Sequence, residues 1–146
     1  MNGVIEQISN ELKKYGLSIN SDKTETAFFS KKDSKLIANQ PFQYLGFTFD
    51  GKTTLIRQSS IHNYYRKMRK GIRAKIRAAK SQGIAPKNIY MRQLFKRYTH
   101  YGKKRKFPRY AYRAADVFDS QDIRKQLSGH MSKFKKFITV AVDEIY

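Results

Sequence analysis

The chain has 146 residues, with 31 Lys+Arg against 11 Asp+Glu for a formal charge of +20, 40% hydrophobic and 14% aromatic residues, and no Cys. This length admits one ordinary domain or two small lobes, and the apolar share, with ten Tyr and ten Phe, supplies enough core material to argue against wholesale disorder. The lack of Cys excludes a disulfide scaffold, a thiolate nucleophile and a Cys-ligated zinc site.

In chain order, Val4, Ile5, Ile8 and Leu12 recur at helical spacing and Gly16 is placed to end the helix, so residues 3–15 are predicted to be amphipathic. Two short strands are expected next, over 17–19 and 24–29, with Asn20-Ser21-Asp22 as the turn. A polar loop over 30–35 leads to a strand at 36–38. The run from Phe42 to Phe49 alternates as a strand packed on both faces, and Asp50-Gly51 turns it into a returning strand over 53–57. The period then changes. Ser59 or Ser60 is placed to cap a long helix to about Ser81, with Ile61, Tyr65, Met68, Ile72, Ile76 and Ala79 as its buried stripe and Gly83 as its stop. Pro86 opens a helix to about Tyr101, a basic loop follows, and two more helices are predicted over 108–118 and 120–144. The fold class is therefore α+β: a small α/β piece with antiparallel hairpins over residues 1–56, then a helical, basic lobe over 57–146. No run approaches the roughly 18 apolar residues of a membrane span, and the start is unlike a signal peptide; a soluble, cytoplasmic protein that does not engage a membrane is expected.

The charge is unevenly placed. Residues 1–50 hold six basic and six acidic side chains and residues 114–146 hold five of each, whereas residues 51–113 hold twenty Lys+Arg and no Asp or Glu. Unbroken positive charge repels itself and calls for an external polyanion. The interleaved Tyr64, Tyr65, Tyr90, Tyr98, Tyr101, Phe107, Tyr110 and Tyr112 favour nucleic acid over a lipid surface, because rings can stack on bases, although some must belong to the core. His62, His100 and His130 show no metal-ligand spacing, so no metal site is expected in this chain.

Leu12-x-x-Tyr15-Gly16-Leu17-x-Ile19-Asn20-x-x-Lys23-Thr24-Glu25, followed by Phe42-x-Tyr44-Leu45-Gly46-Phe47, resembles the last two palm motifs of bacterial reverse transcriptases of retrons, group II introns and antiviral defence systems. The likeness continues through basic, thumb-like helices: Phe107-x-x-Tyr110-x-x-Arg113-Ala114 and Ile123-x-x-Gln126-Leu127-x-x-His130 resemble the C-terminal portion of the defence-associated branch. It implies that residues 1–56 finish a palm and that residues 57–146 form a thumb. The family's catalytic aspartates lie upstream of these motifs, in a box that does not occur here. The resemblance therefore implies a C-terminal part of an RNA-directed DNA polymerase, inactive alone, with Mg²⁺ bound only in the assembled enzyme and the aspartates supplied by a missing N-terminal part.

The resemblance further implies that Lys23 neutralises the leaving pyrophosphate, where the bare sequence allows a solvated turn lysine beside Asp22. It makes Tyr44, Leu45, Gly46 and Phe47 a primer grip, with Leu45 and Phe47 expected in the core and Tyr44 and Gly46 at the contact. Arg66, Lys70, Arg73 and Arg77 recur at one-turn spacing and are expected to track phosphates of RNA, DNA or an RNA–DNA hybrid without reading sequence. Lys103, Lys104, Arg105 and Lys106 form a second candidate contact, or else a mobile basic loop or one contacting another subunit. The alternative for the whole chain is a stand-alone basic RNA-binding protein or chaperone.

Overall fold

A computed structural model describes residues 2–99 and 106–146. Its α1 (Asn2–Lys14) forms where the apolar spacing places it and ends in a Schellman motif, with Gly16 at φ +70 and the N–H groups of Leu17 and Gly16 donating to the carbonyls of Leu12 and Lys13. Its apolar stripe is formed but unpaired: Val4, Ile5 and Ile8 are exposed. Residues 17–19 are not a strand. The chain instead makes a 3-10 turn, Ser21–Lys23, capped by the Asn20 side chain, which accepts from the Lys23 N–H.

The first ribbon also departs from expectation. It pairs β1 (Phe29–Lys32) with β2 (Lys35–Ala38), so most of the expected polar loop is strand. Asp33 and Ser34 turn it at positive φ, a two-residue hairpin whose backbone twist matches that of its strands. A ribbon exposed on both faces needs no apolar alternation, so its signal lay in the turn rather than the strands.

The expected strand over 42–49 is two strands, β3 (Phe42–Tyr44) and β4 (Phe47–Phe49), folded back at Leu45-Gly46 with φ +47 and +89. The sheet is completed by β5 (Thr54–Ile56), antiparallel to β4 as expected. In the intervening turn Asp50 Oδ1 accepts from the N–H groups of Lys52 and Thr53 at 2.9 and 2.7 Å, and these bonds hold its carboxyl below the usual carboxylate range. The ribbon joins this turn through the Ala38 N–H, which donates to the Asp50 carbonyl, and through Phe29 against Phe49.

The longest helix is α2 (Gln58–Ser81), which buries the whole expected stripe and Tyr64 besides. No side chain caps its start, so neither Ser59 nor Ser60 acts as expected, but Gly83 stops it through a second Schellman motif. Pro86 opens only a 3-10 turn, and the helix after it, α3, is limited to Arg92–Tyr98. After α4 (Phe107–Val117), the expected single helix over 120–144 is two, α5 (Gln121–Leu127) and α6 (His130–Ile145), separated at Ser128-Gly129. Ser120 caps α5 by accepting from the Ile123 N–H. Met68, Ile72, Ile76, Ile123 and Leu127 are fully buried and form the centre of the core.

The three-stranded sheet is fastened to these helices. The Gln126 amide pairs with both backbone groups of the buried Ile56, accepting its N–H at 2.8 Å and donating to its carbonyl at 2.9 Å, and Ser120 Oγ donates to the Thr54 carbonyl. Among the described residues no hydrogen bond, ion pair or ring contact joins residues 2–25 to the rest. No helix among them is long and apolar enough to cross a membrane.

Gln126→Leu keeps the volume but strands two backbone groups of a buried residue. We expect a loss of about 2–4 kcal/mol, the cost of two unsatisfied buried groups, read as a lower urea midpoint at unchanged slope.

Candidate nucleic-acid interface

At 100° per residue, Arg66, Lys70, Arg73 and Arg77 fall within about 60° of one another. All four are exposed, on the side of α2 away from its buried stripe. Arg73 pairs with Glu144 of α6 at 2.7 Å, with both side chains nearly half exposed. Such an exposed pair is weak and exchangeable for a phosphate. Arg66, Lys70 and Arg77 have no carboxylate partner among the described residues. Lys106 precedes α4, half-buried, while Lys103, Lys104 and Arg105 lie outside the described residues, as do His100 and Tyr101.

The hairpin tip stands beside α2. Leu45 and Gly46 line a cleft of about 360 Å³ with Ser60, Asn63 and Lys67 of α2 and Tyr110 of α4, and the Arg57 N–H donates to the Gly46 carbonyl at 2.9 Å. Phe47 packs as expected, edge-on to Phe118 and tilted against Tyr110. Leu45 does not: it is 75% exposed, because the two-residue turn puts it at the tip rather than inside a strand. Tyr44 is exposed and stacks on Phe42. Lys23 is exposed at the end of its 3-10 turn, and no described contact brings it to the hairpin or to α2.

Several rings expected as candidate stacking platforms belong to the core. Tyr64, Tyr65 and Tyr98 are buried; the Tyr64 hydroxyl donates to the Tyr98 carbonyl at 2.6 Å, and the Tyr98 hydroxyl to the Lys67 carbonyl at 2.9 Å. Burial pushes the Tyr64 phenol far above its ordinary pKa, so it stays a donor at all working pH values. Tyr90 and Tyr110 remain exposed. Tyr110 shares a cleft of about 720 Å³ with Arg109, Arg113, Phe47 and Phe118. The two arginines were not singled out as contacts from sequence, though their i,i+4 spacing on α4 is a readable signal for one face.

Among the described residues no group of three His, Cys, Asp or Glu could hold a metal ion. Asp22 and Asp33 sit in separate turns and Asp50 is engaged by its own loop. The described residues thus bring no carboxylates together in a cluster that fits Mg²⁺.

An added Cβ at Gly46 would meet only Ser60 Oγ at 3.8 Å, so there is room for a side chain, but φ +89 disfavours a branched one. Gly46→Val is expected to lose about 1–2 kcal/mol from left-handed backbone strain alone, visible as a lower thermal midpoint with the core otherwise intact.

Compared with known proteins, the chain matches no family model and no curated sequence.

Proposed function

We propose that the chain grips the backbone of an RNA duplex or RNA–DNA hybrid, as the C-terminal palm and thumb portion of a reverse transcriptase in the cytoplasm. The observation that carries the nucleic-acid reading is α2. One side of it is sealed in the core while the other presents Arg66, Lys70, Arg73 and Arg77, in a stretch with no acidic residue. Cations at one-turn intervals meet successive phosphates and carry no base information. The hairpin tip beside α2 supports the primer-grip reading, since a turn at Gly46 lets backbone come close to a strand.

Support for an N-terminal partner bearing the aspartates comes from the unpaired stripe of α1 and from exposed Phe28, Leu36 and Ile37, apolar side chains that such a partner would cover. The alternative, a stand-alone basic RNA-binding protein or chaperone, is favoured by the core of the helical lobe, which is complete without residues 2–25. The two readings part on synthesis. The chain alone should extend no primer in either case, whereas adding an N-terminal polymerase part restores extension only in the first.

Binding to RNA duplex with contacts to about six phosphates gives a log-log salt slope near −5. Replacing Arg66, Lys70, Arg73 and Arg77 together with Gln should flatten that slope and weaken all sequences alike, measured by fluorescence anisotropy across a salt series. Strong preference for one sequence would count against the reading.

In the assembled enzyme Lys23→Met should slow single-turnover incorporation by about 10²-fold, the low end for one positioned proton donor. Primer-template affinity should stay nearly unchanged, because an interaction made mainly in the transition state shows in turnover. An unchanged rate would return Lys23 to a solvated turn lysine.

A further inference from the structure

The α2–α6 seam holds a second cationic feature. The two helices run side by side in the same direction: Tyr65 meets Phe137 edge-on, Arg73 meets Glu144, and Lys80 donates to the Ile145 carbonyl near both C-termini. Toward the N-terminal end of α6 the seam carries a cleft of about 760 Å³. Arg66 and Arg69 project into it from one side and Lys133 and Lys136 from the other, while the rings of Tyr65 and Phe137 form the floor. No carboxylate lines it.

Four cations facing one another across a cleft repel, and no carboxylate among the described residues pairs with any of them. Two are pinned in place: the Arg69 guanidinium lies 4.6 Å from the centre of the Phe137 ring and the Lys133 ammonium 4.6 Å from that of Tyr65. Cation–π contact of this kind holds the charged ends at the cleft instead of letting them extend into water, which lowers the ordering cost of binding an anion. The guanidinium edge stays free to donate to phosphate oxygens in its fork geometry.

The cleft is the size of an ordinary small-molecule pocket, so it admits a nucleotide or two but not a duplex. Arg66 belongs both to this cleft and to the exposed stripe of α2, which makes the two cationic surfaces continuous. We propose that the cleft binds the phosphates of a single-stranded nucleic-acid segment that continues from the duplex held along α2. This inference rests on the nucleic-acid reading of α2, and it assigns Lys133 and Lys136 a binding role that the charge of residues 51–113 does not reveal.

The test uses three labelled RNAs: a short blunt duplex, the same duplex with a single-stranded extension, and the extension alone. Wild type should bind the extended duplex about tenfold more tightly than the blunt one. The double variant Lys133→Gln, Lys136→Gln should abolish that preference without changing blunt-duplex affinity or the thermal midpoint. Its salt slope on the single strand should be shallower by about 1.4, at about 0.7 for each lost phosphate contact. Lys133→Arg with Lys136→Arg should restore both. A preference that survives the Gln variant, or no preference in wild type, would overturn the proposal. So would displacement of the extension by adenosine triphosphate at equal phosphate concentration, which would assign the cleft to free nucleotides. Failure of the α2 reading is separately visible as absent blunt-duplex binding, and the single strand still reports on the cleft in that case.

Discussion

The burial of one face of α2 is the constraint on which the molecule depends. Met68, Ile72 and Ile76 are wholly removed from water, and no helix can turn its cations inward while doing this. Every basic residue of α2 is pushed to the other side or to the seams with its neighbours. The same face accepts α3 through Tyr98, whose ring lies where a Cβ on Gly71 would fall, with its hydroxyl only 2.5 Å from that point. A glycine in mid-helix costs about 1 kcal/mol against alanine, and here it opens the space that the tyrosine occupies.

Electrostatics alone would drive this lobe apart. The few acidic groups are placed where they act locally: Glu144 on Arg73, Asp116 on Arg124, Asp122 on Lys125. None of these pairs is buried, so they relieve repulsion without fixing the fold. Lys80 at the end of α6 complements the partial negative charge of that helix terminus. The hydrophobic core bears the remainder, which leaves the exposed cations free to be neutralised from outside.

What was legible in the sequence followed from periodicity. The stripe of α2, the apolar spacing of α1 and the Asp50-Gly51 turn each rest on a local pattern that tertiary contacts do not override. The misreadings occurred where one pattern spans two elements. Residues 42–49 alternate continuously through a turn because Leu45, an uncommon residue at positive φ, hides half of the hairpin signal. Residues 120–144 keep helical spacing of Ile123, Leu127, Met131 and Phe134 through the Ser128-Gly129 break. Tyr64 reads as a stacking ring because it sits among cations, yet its position on α2 places it over the core beside Tyr65, which the stripe already assigned there. At the interface, the α2 stripe was readable from one helix alone. The α2–α6 cleft was not, since it requires knowing that residues 133 and 136 return beside residues 66 and 69.

The Gln126 clamp has a consequence for how the sheet can grow. Of the outward-facing groups of β5, the Ile56 N–H and carbonyl and the Thr54 carbonyl are satisfied by side chains of α5 and its cap. That edge is closed to any further strand, as edge strands must be if they are not to recruit foreign chains. The opposite edge, along Phe42–Tyr44, has no strand beside it among the described residues. Strand addition to this sheet is therefore one-sided, and an incoming strand would lie next to the exposed Tyr44, on the flank of the hairpin away from the helices that hold β5.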